Sequence, residues 1–381
     1  MTRVFIVRHA EAEGNLFRRI HGHYNSTVTE NGRKQLEALQ SRFEHEKIDA
    51  AYSSDLYRAH LTAKAALGHR GLSVITDPRL REVGMGIWED KPWGEIARTY
   101  PEQSINFSRH PLEWNVPGCE RYEHAAKRFT EAVFEIAARH DGQTVAIFTH
   151  GSVLRTFLAT AMELPLADMT TIPHSDNTGV TLLELEGNKV RIIYKNDNSH
   201  LSPAISTLAR QKWWRKSHPE DDLCLWFQPM DLSRLGDVYL DSRKEAWETI
   251  HGSLNGYSGE GFLQEARVLS HIYPSAVTAV MLEDRQVGIL QTDFWEGQKQ
   301  DAVWISLYYM MPEYRGQNLG VQILGQAISE CRHFGRSYLR LRVSTVNMIA
   351  QRFYDRYGFY QIGVEPGVAS PLLLMEKYIG F

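Results

Sequence analysis

Cysteine is scarce. The chain of 381 residues has three, Cys119, Cys224 and Cys331, an odd number, far apart and without C-x-x-C spacing. This excludes a disulfide framework and a zinc site as organising devices, and each is expected to be a small buried side chain. An excess of one charge is also missing. Lys and Arg number 42 against 46 Asp and Glu, a net charge of −4. No broad basic surface argues for nucleic acid or an anionic membrane, so any anion site must be built from a few placed residues. Long apolar runs are absent too. The start, MTRVFIVRHA, holds only a short apolar stretch between two arginines, far short of a signal-peptide core, and nothing later approaches a membrane span. A soluble, cytoplasmic protein is expected. There is no low-complexity segment, and neither half repeats the other.

What is present is length. A chain of 381 residues with 43% hydrophobic content suits two domains of roughly 150 to 200 residues each. In the first part strands and helices alternate. VFIV reads as a strand, residues 29–46 as a helix with Leu36, Leu39 and Phe43 on one face, and 48–53 as a short strand. Helices are expected over 56–67 and 123–140, a strand over 144–150 and a helix over 152–162. Such alternation implies a largely parallel sheet with helices on both faces. A hairpin around Gly187 and Asn188 follows, then a mixed, polar, non-periodic stretch. The boundaries are therefore drawn as a first domain over 1–203, a linker over 204–220 and a second domain over 221–381.

In an open α/β sheet ligands gather beyond the carboxyl ends of the strands. Arg8 and His9 follow the strand VFIV. Ser53, Ser54, Asp55 and Arg58 follow the second strand, and His150 and Gly151 follow TVAIFT and lead into a helix. Two guanidinium forks and a helix N-terminus converging there would hold a phosphate. A neutral imidazole is a competent nucleophile toward phosphorus, and flanking arginines depress its pKa, so His9 is the candidate carrier of a phosphoryl group. Departure of the alcohol needs a proton, and Glu82 in LREVGMGIWED is the candidate donor.

The stretches VRHAEAEGN, SSDLYRAHLTA, LREVGMGIWED and FTHGSVLR, in this order over the first half of the chain, resemble the histidine phosphatase superfamily with its phosphoglycerate-mutase-like fold. The resemblance implies a three-layer α/β/α domain in which His9 is the phosphohistidine nucleophile. It further implies that Arg8, Arg58 and His150 bind the phosphoryl group, and that Glu82 is the general acid and later the base for water. Asn15 matches the family's asparagine and is counted with the phosphate-binding residues. Ala10 stands where the family usually has glycine. The shorter GMGIWED form favours a phosphatase over a mutase, with no cofactor required. Arg18, Arg19 and His21 are candidates for substrate contact or for surface charge. His174 and His200 are candidates for pocket lining or loop bracing, and Trp88 and Trp93 for a substrate wall or core.

In the second half three strands look like a meander. PEYRGQNLG then joins a strand to a helix, followed by the alternating strand YLRLRV and a helix that stops at Gly358. Glycines allow close backbone approach, and successive N–H groups at a helix start can hold a pyrophosphate. Together these pieces resemble the GNAT acetyltransferase superfamily across residues 223–381, an α/β domain with a mixed sheet. Asn318 stands where glycine is more usual, and asparagine tolerates the left-handed region. The resemblance implies that acetyl-CoA lies along the strand ending at Met310 and Met311, with its pyrophosphate on the amides of Arg315, Gly316, Gln317, Asn318, Gly320 and Val321. Asn347 would face the cofactor arm and Tyr354 would protonate the departing thiolate. Glu260, Glu265 and Asp293 are candidate bases, with a water chain as the alternative.

The expected function is bifunctional: phosphomonoester hydrolysis through a phosphohistidine, and acetyl-CoA-dependent acetylation of an amine. The rival reading keeps the phosphatase and makes the second domain a CoA-binding sensor or an oligomerisation module. Expected partners are a small phosphate ester and an amine acceptor, with a homodimer compatible. No metal, nucleic acid or membrane is expected.

Overall fold

The computed structural model describes residues 1–211 and 223–380. The chain divides into two compact units, residues 1–91 with 96–222 and residues 92–95 with 223–381. The last part of the expected linker, 212–220, lies outside the described residues.

The first unit is built on six strands: β1 (Thr2–Arg8), β2 (Ala50–Ser53), β3 (Val74–Thr76), β4 (Thr144–Thr149), β5 (Val180–Glu186) and β6 (Lys189–Asp197). Their order is β3-β2-β4-β1-β5-β6, parallel across the first four and antiparallel at β5 and β6. β4 is buried at every residue and β1 at nearly every one, the pattern of strands covered on both faces. On one face Phe5, Val7 and Phe148 pack with Leu39 and Phe43 of the helix Glu30–Phe43 and with Ala63 and Leu67 of the helix Tyr57–Leu67. Phe5 and Phe43 meet edge to face at 5.3 Å. On the other lie the helices Tyr122–Arg139 and Gly151–Ala161, themselves joined by Phe129 and Phe157 at 5.8 Å. Residues 204–211, read from the sequence as the start of the linker, fold into this unit. Thr207 Oγ1 donates to Glu11 at 2.9 Å, and Gln35 Nε2 donates to the Ile205 carbonyl at 2.7 Å.

The second unit has seven strands: β7 (Leu225–Pro229), β8 (Val277–Leu282), β9 (Arg285–Asp293), β10 (Ala302–Met310), β11 (Tyr338–Ser344), β12 (Tyr360–Glu365) and β13 (Leu372–Tyr378). The order is β12-β13-β11-β10-β9-β8-β7, antiparallel throughout except for β10 and β11. That parallel pair requires a crossover, supplied by the helix Gly320–His333. β10 and β11 pair only from Ala302 to Ile305. β10 then shifts register at Ser306 and continues to Met310 against β9 alone, so the two parallel strands part beyond Ile305. Among the described residues no helix is long and apolar enough to cross a membrane, and no group of three or more His, Cys, Asp or Glu side chains could hold a metal ion. Cys331 is buried, whereas Cys119 and Cys224 are only partly so.

Candidate active site

Arg8 pairs in register with Thr149, and Ser53 with Phe148. The next residues, His9, His150 and Ser54, therefore leave the carboxyl edge of the sheet side by side. His9 Nδ1 lies 2.7 Å from the Ala10 carbonyl. A carbonyl only accepts, so the proton sits on Nδ1 and the lone pair on Nε2. Burial first, then Arg58 and Arg8, hold the His9 pKa well below the ordinary imidazole value. The His150 ring stands 5.2 Å from that of His9 and is depressed in the same way, by burial, Arg58 and His9. Its Nε2 is 2.9 Å from Ser54 Oγ, and its buried Nδ1 has no partner. With the Ser54 hydroxyl donating to Nε2, Nδ1 carries the proton and is left to meet an anion.

Both arginines are held by carbonyls, not carboxylates. Arg8 Nη1 donates to the Ser175 carbonyl at 2.6 Å, and its buried Nε has no partner. Arg58, in the first turn of its helix and 1% exposed, donates to the carbonyls of Tyr24 at 3.0 Å, Gly22 at 2.7 Å and His21 at 3.1 Å. Burial pushes its pKa down to about 10. Glu82 acts on both charges through space, with Glu89 on Arg58 and Asp176 on Arg8, and a bound anion would offset the remaining cost of burying them. Glu82 sits on the start of the helix Gly151–Ala161. Its Oε1 accepts from Val83 at 3.0 Å and Val153 at 2.9 Å, and its Oε2 from Ser152 alone at 3.0 Å. Oε2 is thus the oxygen with room for a proton. Asn15 Oδ1 accepts from the Ala12 amide at 3.1 Å and from Asn177 Nδ2 at 3.3 Å, which leaves its own amide group as the donor toward a ligand. The arrangement gathers a neutral nucleophile, positive charge and a carboxyl group at one sheet edge.

In the second unit the loop after β10 turns through Gly316 (φ 77°) and Asn318 (φ 60°) into the helix Gly320–His333. Asn318 occupies the left-handed region its side chain tolerates. The Arg315 amide already donates to the Pro312 carbonyl at 3.2 Å, and its guanidinium pairs with Glu245 at 2.8 Å. The run of amides open to a pyrophosphate therefore begins at Gly316, not Arg315. Met310 lends its carbonyl to Arg315 Nε at 2.8 Å. Asn347 caps the helix Met348–Arg356, accepting from the Ala350 amide at 3.1 Å, so its carbonyl oxygen serves the fold. Tyr354 is buried among Tyr308, Phe353 and Phe359, and burial raises its pKa. Of the carboxylates considered as base, Asp293 already accepts from the amides of Trp295 at 2.7 Å and Glu296 at 2.9 Å, and burial raises the pKa of Glu265.

The histidine phosphatase superfamily (branch 1) model matches residues 4–198, just over half of the chain. The chain belongs to this superfamily. The acetyltransferase (GNAT) family model matches residues 240–359. The metal-independent phosphoserine phosphatase of Arabidopsis thaliana is 34% identical over 205 residues, 53% of this chain and 84% of that protein. Phosphoserine phosphatase 1 of Hydrogenobacter thermophilus is 28% identical over 201 residues, 53% of this chain and 95% of that one. Among solved structures, Bacillus stearothermophilus YhfR is 35% identical with a TM-score of 0.52, covering 53% of this chain and 100% of its own.

The histidine phosphatase domain also uses residues that its motifs did not single out. Glu89 accepts four backbone amides, from Gly22 at 3.0 Å, His23 at 2.7 Å, Tyr24 at 2.9 Å and Met85 at 2.9 Å. It fixes the loop whose carbonyls hold Arg58. Asn177 Nδ2 donates to the His9 carbonyl at 2.9 Å and links that strand end to Asn15. Arg19 and His21, candidates for substrate contact or surface charge, are neither exposed nor unengaged. Arg19 Nε lies 2.9 Å and His21 Nε2 3.3 Å from Asp90. His200 braces the hairpin. Arg42 can only donate, so His200 Nδ1 accepts from it at 3.2 Å and Nε2 faces Thr178 Oγ1 at 3.1 Å. Trp88 is core, fully buried against Trp114 and Phe107. The signal for Glu89 lay in GMGIWED, but nothing in the sequence shows which amides fold around it.

Proposed function

We propose that the chain is a bifunctional cytoplasmic enzyme, hydrolysing a small phosphomonoester through a phosphohistidine and transferring an acetyl group from acetyl-CoA to an amine. The observation that carries the first activity is His9, neutral, with Nδ1 tied to the Ala10 carbonyl and Nε2 available between two arginines. Nε2 attacks phosphorus as the ester P–O bond breaks, and Glu82 delivers its proton from Oε2 to the departing alcohol oxygen. Arg8, Arg58, Asn15 and His150 Nδ1 hold the phosphoryl oxygens and stabilise the charge that develops on them. The Glu82 carboxylate then takes a proton from water, the hydroxide attacks phosphorus, the P–N bond breaks and phosphate leaves with His9 neutral again. Relatives at similar identity carry both phosphoserine phosphatase and phosphoglycerate mutase names, so the choice of phosphatase over mutase rests on the short GMGIWED form of the loop after Glu82. The test is acid-labile labelling of the protein by a turnover substrate. Labelling is expected at His9 and is expected to vanish, with hydrolysis, in His9→Ala; unchanged hydrolysis in that variant contradicts the reading.

For the second activity, the parted strands β10 and β11 and the amides from Gly316 to Val321 offer a place for acetyl-CoA. Met310 and Met311 would line its acetyl-bearing arm. With acetyl-CoA bound, Tyr354, kept protonated by burial, would give its proton to the thiolate as the amine nitrogen displaces it from the acetyl carbon, and the proton released by the amine would pass to water. Asn347, with its oxygen committed to the helix cap, keeps its amide group toward the cofactor arm. The second reading, a CoA-binding sensor, is favoured by the absence of a committed base among the described residues. Calorimetry with acetyl-CoA followed by an amine panel separates the two: binding without turnover on any amine supports the sensor.

A further inference from the structure

The motif FTHGSVLR ends on an arginine to which the chemistry above assigns no role. Arg155 lies on the helix Gly151–Ala161, three residues after Ser152. Helical side chains lean toward the helix N-terminus, so its stem runs back over the turn whose amides, Ser152 and Val153, bind Glu82. Its charge interacts with the Glu82 carboxylate and with Tyr122, whose hydroxyl is in turn within hydrogen-bond range of Ser152.

Among the described residues the guanidinium nevertheless makes no hydrogen bond. Its Nε is buried and unbonded, and among the described residues it forms no ion pair. Other arginines of this domain are engaged with carboxylates: Arg81 with Asp55 at 2.5 Å, Arg128 with Glu120 at 2.6 Å, Arg19 with Asp90 at 2.9 Å. Arg155 is nevertheless not sealed in the core, for it keeps partial solvent exposure. An arginine that is largely enclosed, without a hydrogen-bonded counter-ion and still in reach of solvent can take up an anion, which would offset its desolvation.

The reaction says which part of the substrate arrives there. Glu82 protonates the ester oxygen, so whatever that oxygen carries extends past Glu82 toward Arg155 and Tyr122. We infer that Arg155 is the specificity-determining residue of the phosphatase site, and that its planar fork binds a carboxylate on the alcohol portion of the phosphate ester, with the Tyr122 hydroxyl beside it. This inference rests on the phosphatase reading above. One guanidinium and one hydroxyl match the single charge of a carboxylate better than a second phosphate dianion.

The test uses two esters that differ only in that group, O-phosphoserine and O-phosphoethanolamine, on the full chain. Wild type is expected to prefer O-phosphoserine in kcat/KM by roughly tenfold or more, the worth of one charge-assisted hydrogen-bonded pair. In Arg155→Gln the ratio falls to near one, mainly through KM for O-phosphoserine, while kcat/KM for O-phosphoethanolamine is kept; Arg155→Lys retains part of the preference. Because the readout is a ratio within one protein, a loss of stability does not imitate it. A wild type with no preference, or variants that lose activity equally on both esters, overturns the inference while leaving the phosphatase reading intact. Failure of wild type to hydrolyse either ester or p-nitrophenyl phosphate overturns that reading and this one together.

Discussion

A histidine that must be uncharged to attack phosphorus gains from a buried position beside two guanidiniums. Burial, Arg58 and Arg8 all oppose the imidazolium form of His9, so it stays neutral well below the ordinary 6.5. The acid limb of kcat/KM is therefore expected to remain flat from pH 7 down through 6.5; a titration centred at 6.5 and assigned to His9 contradicts this. If His9 carries the phosphoryl group as proposed, His9→Ala is expected to lower kcat by roughly 10³-fold or more, read with p-nitrophenyl phosphate. At this scale much was legible beforehand. Arg8, His9 and His150 are residue types of specific chemistry whose places at strand ends follow from the chain order, whereas Arg58 in its helix and Glu82 in its loop stood out through their motifs. Ser54, Asn177 and Arg155 were not assigned roles, because what each does depends on a contact with a residue far away in sequence.

The loop over residues 82–90 shows how an element positions that chemistry. Gly86 turns it at φ 56°, and a Cβ there would stand 2.3 Å from the Pro117 carbonyl and 2.5 Å from the Cys119 amide. Gly86→Ala is expected to cost about 1–3 kcal/mol or more of stability, seen as a lower denaturation midpoint. Glu89 closes the same loop with four amide donors. In Glu89→Gln one oxygen becomes an NH2 facing two N–H groups. The expected loss is about 3 kcal/mol, together with lower kcat/KM because the carbonyls of His21, Gly22 and Tyr24 release Arg58. Unaltered kinetics would show that the loop does not position Arg58. Long periodic elements were legible, the helix Tyr122–Arg139 and the strand Thr144–Thr149 among them. β3, β12 and β13 were not: β3 has three residues, and β12 is an edge strand with Tyr360, Ile362 and Val364 exposed, so neither shows buried alternation. The helix Gly259–Ile272 buries only Leu263, Ala266 and Leu269, a stripe too thin to stand out.

For the whole molecule, stability carries the imprint of both sites. His9 and His150, and His200 with a pKa lowered to about 4 by burial and Arg42, are favoured neutral in the folded state. Their folded pKa values lie below the unfolded one. The stability they contribute is complete above about pH 6.5 and is lost as pH falls toward the folded values. Urea midpoints of the phosphatase domain are expected to drop between pH 6.5 and 4; a midpoint that rises on acidification contradicts this. Acetyl-CoA at 100 times its Kd is expected to stabilise the GNAT domain by about 2.7 kcal/mol, a rise in Tm. Gly316→Val, forced into φ 77°, should remove that rise.

The sequence by itself determined the two families, their fold classes and which reactive residue types the chain holds, because hydrophobic periodicity and residue chemistry are local properties of the chain. Tertiary structure alone decided the rest. It set which ring nitrogen of His9 is free, which carboxyl oxygen of Glu82 has room for a proton, that Arg58 leans on a loop held by Glu89, and that Arg155 makes no hydrogen bond among the described residues. Each of these is a statement about hydrogen-bond satisfaction in a desolvated space, and such satisfaction exists only once distant segments have been brought within 3 Å or so of one another.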